Sequence, residues 1–262
     1  MPSIQLGEWS IFFLEFGDAE LPPLVLLHGL YGDASSVAPL AELLSDRFRV
    51  IAPDALGHGS SSAPEGFTLA DQGRMIDELI AAFGYDSATV VGISMGSYLA
   101  ARAAILEPSR VSRLVLVVGK AHGTTSSSVA YAKRMGFDLA NATPEAMLEF
   151  MSGAIWSKDT SPERRAEILA AVPTQNQPTA DERAAVERSL AGFDLRPELG
   201  TITAPTLVIS GRDDGLNPPE AGKELADGIP NSRFEVYEHS GHMLSMEESD
   251  RLVDDIVRFV LA

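Results

Sequence analysis

Cysteine is absent from the 262 residues. That absence excludes disulfides, thiolate metal sites and a cysteine nucleophile together. Lysine is scarce: Lys120, Lys133, Lys158 and Lys223 are the only ones among 20 basic residues. There are 37 acidic residues, for a net charge of −17. A body so acidic repels nucleic acid and anionic membrane surfaces. No apolar run is long enough to span a bilayer. Met1–Gln5 shows no basic stretch leading into an apolar one, so no signal peptide is expected. These absences predict a cytoplasmic protein whose partner is a small molecule, with no nucleic acid or membrane partner. A homo-oligomer stays open.

Short apolar runs alternate with amphipathic stretches, as in a mostly parallel sheet wrapped by helices. Strands are expected at Ile11–Phe16, Pro23–His28, Arg49–Pro53, Thr89–Ile93, Leu114–Val118, Thr206–Ser210 and Arg233–Tyr237. Several are continuous apolar runs, the mark of strands buried on both faces. Helices are expected over Thr68–Phe83, Met95–Glu107, Pro218–Asp227 and Glu247–Val260, with Thr68 as an N-cap. Residues 119–200 break this rhythm. They contain no strand-like run and several helical pieces, Ser128–Leu139, Pro144–Met151, Pro162–Ala171 and Asp181–Leu190. The chain divides on this reading into a core, 1–118 with 201–262, and a helical lid inserted at 119–200.

Gly92-Ile93-Ser94-Met95-Gly96 is a G-x-S-x-G pattern placed where a buried strand stops and a helix starts. A sharp turn there forces the serine into a strained conformation and lifts its hydroxyl clear, while the helix N-terminus favours developing negative charge. The plainer alternative is a serine N-cap between packing glycines. A serine also needs a base within reach. His242, in Ser240-Gly241-His242 between the last strand and the last helix, is preferred over His239. An acid should follow the sixth strand, where Asp213 and Asp214 compete. Either could instead cap a helix or close an Asx-turn. Serine, acid and histidine then follow one another along the chain. Two oxyanion donors are expected, the backbone N–H groups of Met95 and of Leu30 in the loop His28–Gly32. His28 itself reads as a structural residue of that loop.

These residues resemble the α/β-hydrolase superfamily, in the branch of enol-lactonases, meta-cleavage-product hydrolases and cofactor-free haloperoxidases. The resemblance rests on His28-Gly29, Asp54–Ser61, Gly92–Gly96, Gly211-x-x-Asp214 with Pro218, and Ser240–His242. It implies an α/β fold with an inserted helical lid. It also implies Asp214 rather than Asp213 as the acid, and a structural role for the Asp54–Ser61 turn. Lys120 and His122 depart from the small neutral residues usual in relatives. Both are expected to point into solvent, the alternative being contact with a carboxylate-bearing substrate. Trp156, Phe137, Phe150 and Met151 read as lid core more readily than as pocket wall. Glu247, Glu248 and Asp250 look like the solvated start of a helix rather than a metal site.

The expected function is hydrolysis of a small carboxylic ester or lactone through an acyl-enzyme on Ser94, with no cofactor and no metal. Carbon–carbon bond hydrolysis of a meta-cleavage-type diketone, or perhydrolysis, would use the same triad. A small-molecule receptor that keeps the fold is the alternative of another class.

Overall fold

The structure, a computed structural model, describes residues 2–173 and 178–262. Residues 174–177, inside the expected lid, lie outside them. The strands are β1 (Ser3–Leu6), β2 (Trp9–Phe16), β3 (Pro23–Leu27), β4 (Arg49–Pro53), β5 (Ala88–Ile93), β6 (Val111–Val117), β7 (Thr206–Gly211) and β8 (Ser232–Tyr237). They form one sheet in the order β1-β2-β4-β3-β5-β6-β7-β8. β1 pairs antiparallel with β2 and β2 with β4, and the other pairs are parallel.

Successive strand side chains point to opposite faces, and this alternation splits the core in two. On one face Val90, Leu114, Leu116 and Val208 pack with α2 (Leu69–Ala82), α3 (Met95–Leu106) and α8 (Pro219–Gly228). On the other, Val91, Ile93, Val115, Val117 and Ile209 pack with α1 (Ala34–Leu44) and α10 (Ser249–Leu261). Helices on both faces explain why β5 is buried along its whole length. Among the described residues no helix is long and apolar enough to cross a membrane.

Between β6 and β7, which are neighbours in the sheet, the chain makes α4 (Ser127–Met135), α5 (Pro144–Ile155), α6 (Pro162–Ala171) and α7 (Ala180–Leu190). Each is capped by a hydroxyl, from Ser126, Thr143, Ser161 and Thr179 in turn. Phe137 stacks on Phe150 at 4.1 Å between ring centres, and Tyr131 leans on Phe150 at 4.8 Å. Trp156 is buried. These aromatics pack within the helical segment.

Several boundaries differ from the sequence expectation. α4 stops at Met135, not Leu139, because Gly136 turns left-handed (φ +65°). α5 continues past Met151 to Ile155. The last helix, α10, starts two residues after the expected Glu247 and ends one after Val260, and a short turn, α9 (Leu244–Glu247), precedes it, with Glu248 outside the helical region between them (φ −128°, ψ 48°). β1 and α1 were not anticipated. β1 is only four residues long, and α1 carries Pro39 and depends on its Asp33 cap.

The Asp54–Ser61 turn is held by its own carboxylate. Asp54 accepts from Ala34 N (2.6 Å) and Ser60 N (2.7 Å). Gly59 has φ +56°, and a Cβ there would lie 2.0 Å from Asp54 Oδ2.

One buried acid is poorly matched to its surroundings. Asp77 of α2 is buried, and its Oδ1 has no hydrogen-bond partner among the described residues. Burial, and secondly the charge of Glu107, push its carboxyl up to about 8. In the unfolded chain it titrates near 4. Between those values the folded protein holds a proton that the unfolded chain has lost, so stability falls as pH rises from about 4 to about 8. Asp77→Asn removes this dependence. Thermal unfolding should show the variant more stable than wild type at pH 8, by about 1–3 kcal/mol, with the gain shrinking towards pH 4.

Candidate active site

Ser94 sits at the junction of β5 and α3 with φ +53° and ψ −113°. A non-glycine residue there is strained. The turn closes because its flanking residues lack side chains. A Cβ on Gly92 would lie 2.2 Å from Gly96 O, and one on Gly96 would lie 2.5 Å from Leu27 O. Ser94 makes no side-chain capping bond to α3, so the N-cap alternative does not describe it. Its hydroxyl lies 2.9 Å from His242 Nε2.

His242 Nδ1 is 2.8 Å from Asp214 Oδ2. The Asp214 side chain is fully buried and that of His242 nearly so. A carboxylate only accepts, so Nδ1 carries the hydrogen and Nε2 is left to accept from Ser94. Asp214 uses its other oxygen, Oδ1, to accept from Leu216 N and Asn217 N, both at 2.8 Å. The Asx-turn and the histidine contact are therefore made by one carboxylate. Asp213 points the opposite way. It accepts from Ser157 Oγ (2.8 Å), from Lys158 N (3.2 Å) and from the Lys158 ammonium (3.3 Å). Burial alone would raise its carboxyl, but these donors hold it below the usual range. His239 is exposed and bonds Asp159.

A Cβ built on Gly29 would lie 3.7 Å from the Ser94 Cβ, so the β3–α1 loop abuts the serine. Within it Gly32 N donates to Gly29 O (3.1 Å). The Leu30 and Met95 N–H groups have no acceptor among the described residues. His28 is fully buried, and that burial lowers its pKa. The neutral ring donates from Nδ1 to Gly29 O (2.8 Å) and accepts at Nε2 from Ala55 N (3.0 Å). It ties the loop down and does not reach the serine.

Two features had no sequence signal. Asn217 donates to Tyr98 OH (2.9 Å) and Val118 O (2.7 Å) and accepts from Ser127 Oγ (2.8 Å), locking the acid loop to α3, β6 and α4. Burial pushes the Tyr98 phenol well above its usual range. The second is Glu247. It was expected to be solvated, yet it accepts from Ser157 N (2.9 Å), Thr160 Oγ1 (2.6 Å) and Gly241 N (2.7 Å). Glu248 likewise accepts from Ser240 Oγ (2.6 Å). Their carboxylates take up donors of the histidine loop, Gly241 and Ser240, and of the stretch after α5, Ser157 and Thr160, which no local pattern announces.

Lys120 and His122 also correct the expectation of free solvent exposure. Lys120 Nζ donates to Ser127 Oγ (2.9 Å) and lies 5.8 Å from the Tyr98 ring centre, and burial lowers its pKa. His122 lies 3.7 Å from Glu224 and 2.9 Å from Thr124 Oγ1, and its backbone bridges to Asp194. Contacts to residues far along the chain draw both inward.

The end of α5 touches both loops. Ala154 O accepts from Gly215 N (2.9 Å) and Ile155 O accepts from Met243 N (3.1 Å). A Cβ on Gly241 would lie 2.6 Å from Ile155 O.

The family model described as the alpha/beta hydrolase fold matches residues 22–249, most of the chain. This chain belongs to the α/β-hydrolase family. It is 32% identical over 240 residues to RutD of Variovorax paradoxus (strain S110), named as a carbamate hydrolase, with 89% of each chain covered. It is 30% identical over 255 residues to the 2-hydroxymuconate semialdehyde hydrolase of Pseudomonas putida, covering 91% of this chain and 86% of that one. The enol-lactonase of Burkholderia xenovorans LB400 superposes with a TM-score of 0.81 at 26% identity, over the whole of both chains. The α/β-hydrolase chain is thus an enzyme of the hydrolase class.

Proposed function

We propose that this α/β hydrolase cleaves small carboxylic esters or lactones through an acyl-enzyme on Ser94. The observation that carries the reading is the relay Ser94 Oγ–His242 Nε2 (2.9 Å) and His242 Nδ1–Asp214 Oδ2 (2.8 Å) at a strained strand-to-helix turn. Ser94 Oγ attacks the carbonyl carbon as His242 Nε2 takes its proton. Asp214 holds the imidazole in the required tautomer and stabilises the imidazolium. The Leu30 and Met95 N–H groups donate to the oxyanion, the role suited to two unpartnered donors beside the serine. Collapse expels the alcohol, which takes the proton from His242. Water, losing its proton to His242, attacks the acyl-enzyme, and the acid leaves with Ser94 restored.

In this reading 119–200 is a lid over the core formed by 1–118 and 201–262. The bonds from the end of α5 to the acid and histidine loops support it. No step calls for a cofactor or a metal.

A fluorophosphonate probe should form one covalent adduct, found by peptide mass spectrometry on Ser94. A panel of p-nitrophenyl esters, short lactones, aryl carbamates and a meta-cleavage diketone should give its highest kcat/KM on an ester or lactone. An adduct elsewhere would refute the choice of nucleophile. Preference for the diketone would favour carbon–carbon hydrolysis, the second reading, which rests on similarity to the 2-hydroxymuconate semialdehyde hydrolase.

A further inference from the structure

Left-handed backbone recurs at the end of the strand next to the elbow. Ser94 follows β5 with φ +53°, and Val118 follows the neighbouring β6 with φ +47°. For a branched side chain such a conformation is strained, and it persists only where the surroundings fix it. Bonds on both sides fix Val118. Its N–H donates to Ile209 O of β7 (2.8 Å), and its carbonyl accepts from Asn217 Nδ2 (2.7 Å). One residue earlier, Val117 O accepts from Ser94 N (2.9 Å). The end of β6 therefore lies between the nucleophile's turn and the acid's loop and is bonded to both.

Asn217 closes this bridge, and it is buried. A carbonyl only accepts, so the amide nitrogen must be the atom facing Val118 O, and the orientation of the amide follows. The same nitrogen donates its second hydrogen to Tyr98 OH (2.9 Å), on α3 one turn after Ser94. The Tyr98 phenol has Ser94 as a hydrogen-bonding neighbour and feels the charge of Asp214. The amide oxygen accepts from Ser127 Oγ (2.8 Å), which accepts from Lys120 Nζ (2.9 Å). The backbone N–H of Asn217 donates to Asp214 Oδ1 (2.8 Å), and Oδ2 faces His242. Each of these bonds replaces one to water and adds little net stability. What the bonds supply is direction. The backbone of Asn217 steers the acid, while its side chain is pinned to the nucleophile's helix and to the strand end that holds the Ser94 turn.

We infer that Asn217 is a positioning residue: by bridging Val118 O and Tyr98 OH it fixes the Asp214 carboxylate relative to the Ser94 turn. The inference rests on the proposed relay of Ser94, His242 and Asp214. A misplacement of about 1 Å in such a relay costs about a hundredfold in rate. Asn217 is not assigned contact with any reacting atom. Its influence passes through Asp214, and that separates it from a role in folding.

The test is a double-mutant cycle read in p-nitrophenyl acetate hydrolysis. Asn217→Leu keeps the volume and removes every side-chain bond. Tyr98→Phe keeps the ring and removes one partner of the amide. With Asp214 present, Asn217→Leu should lower kcat by about a hundredfold and Tyr98→Phe by about tenfold. KM should stay within about twofold of wild type in both. In an Asp214→Asn background neither should lower kcat by more than about twofold further, because the group they position is already disabled. A role confined to stability would lower the melting temperature and leave kcat per folded molecule unchanged. That result, or a loss of equal size with and without Asp214, overturns the inference. If Asn217→Leu does not fold, Tyr98→Phe decides by the same outcomes. Ser94→Ala separates the two failures. If it is inactive while the Asn217 and Tyr98 variants keep their kcat, the nucleophile stands and the positioning residue is wrong. If Ser94→Ala is fully active, the relay itself is wrong.

Discussion

Ser94→Ala should lower kcat for p-nitrophenyl acetate by about 10⁴- to 10⁶-fold, while circular dichroism stays that of the wild type. The hydroxyl is the only group that the substitution removes, and it is the group that faces His242 Nε2 at 2.9 Å. Whatever rate survives should come from the donors around the oxyanion, which the variant keeps. Alanine inherits the strained backbone at φ +53°, so its unfolding midpoint should barely move. Ser94→Gly should be equally inactive yet more stable, by about 1–2 kcal/mol, because glycine adopts that conformation without strain. A serine kept at a position where glycine would be more stable indicates that the hydroxyl is needed. Retention of full activity by Ser94→Ala would refute the triad.

Asp214→Asn should cost about 10⁴-fold in kcat, and Asp213→Asn should leave kcat within a few-fold. The neighbouring carboxylates differ in what they face. An asparagine at 214 can turn its NH₂ towards His242 Nδ1, which must then accept. The hydrogen moves to Nε2, and Ser94 loses its acceptor. Asp213 instead holds Ser157 and Lys158. Its loss should appear in thermal unfolding, at about 1 kcal/mol, and not in turnover. If Asp213→Asn were the inactive variant, the acid would be misassigned. Steady-state kinetics and melting curves on the two variants decide it.

Much of the sheet was legible because parallel strands between two helical layers must be apolar along their length, as Pro23–Leu27 and Ala88–Ile93 are. The elbow was legible because a tight strand-to-helix turn needs Gly92 and Gly96, which fixes a local pattern. The structural role of the Asp54–Ser61 turn came from the family resemblance; its bonds run both to Ser60, six residues on, and to Ala34, twenty residues back. Glu247 was misread. Its partners Ser157 and Thr160 lie 90 and 87 residues away, and a carboxylate at a helix start reads as solvated until those donors are brought to it. The same holds for Lys120, drawn in by Ser127 and Tyr98 across the start of the helical segment.

The residue order alone gave the layered architecture, the elbow and the candidate serine, acid and histidine, because periodicity places the strands and each candidate lies in a loop that directly follows one. The family resemblance implied Asp214 over Asp213, but the physical ground for that choice is the direction in which each side chain leaves the loop. Both follow β7 with equal right, and only the tertiary arrangement puts His242 on one side and Ser157 on the other. A groove lined by Ile93, Leu40, Ile168 and Met246 is of the same kind. It exists because α1, α6 and α9, remote in sequence, meet without filling the space between them. An unfilled volume leaves no mark on any one segment of chain.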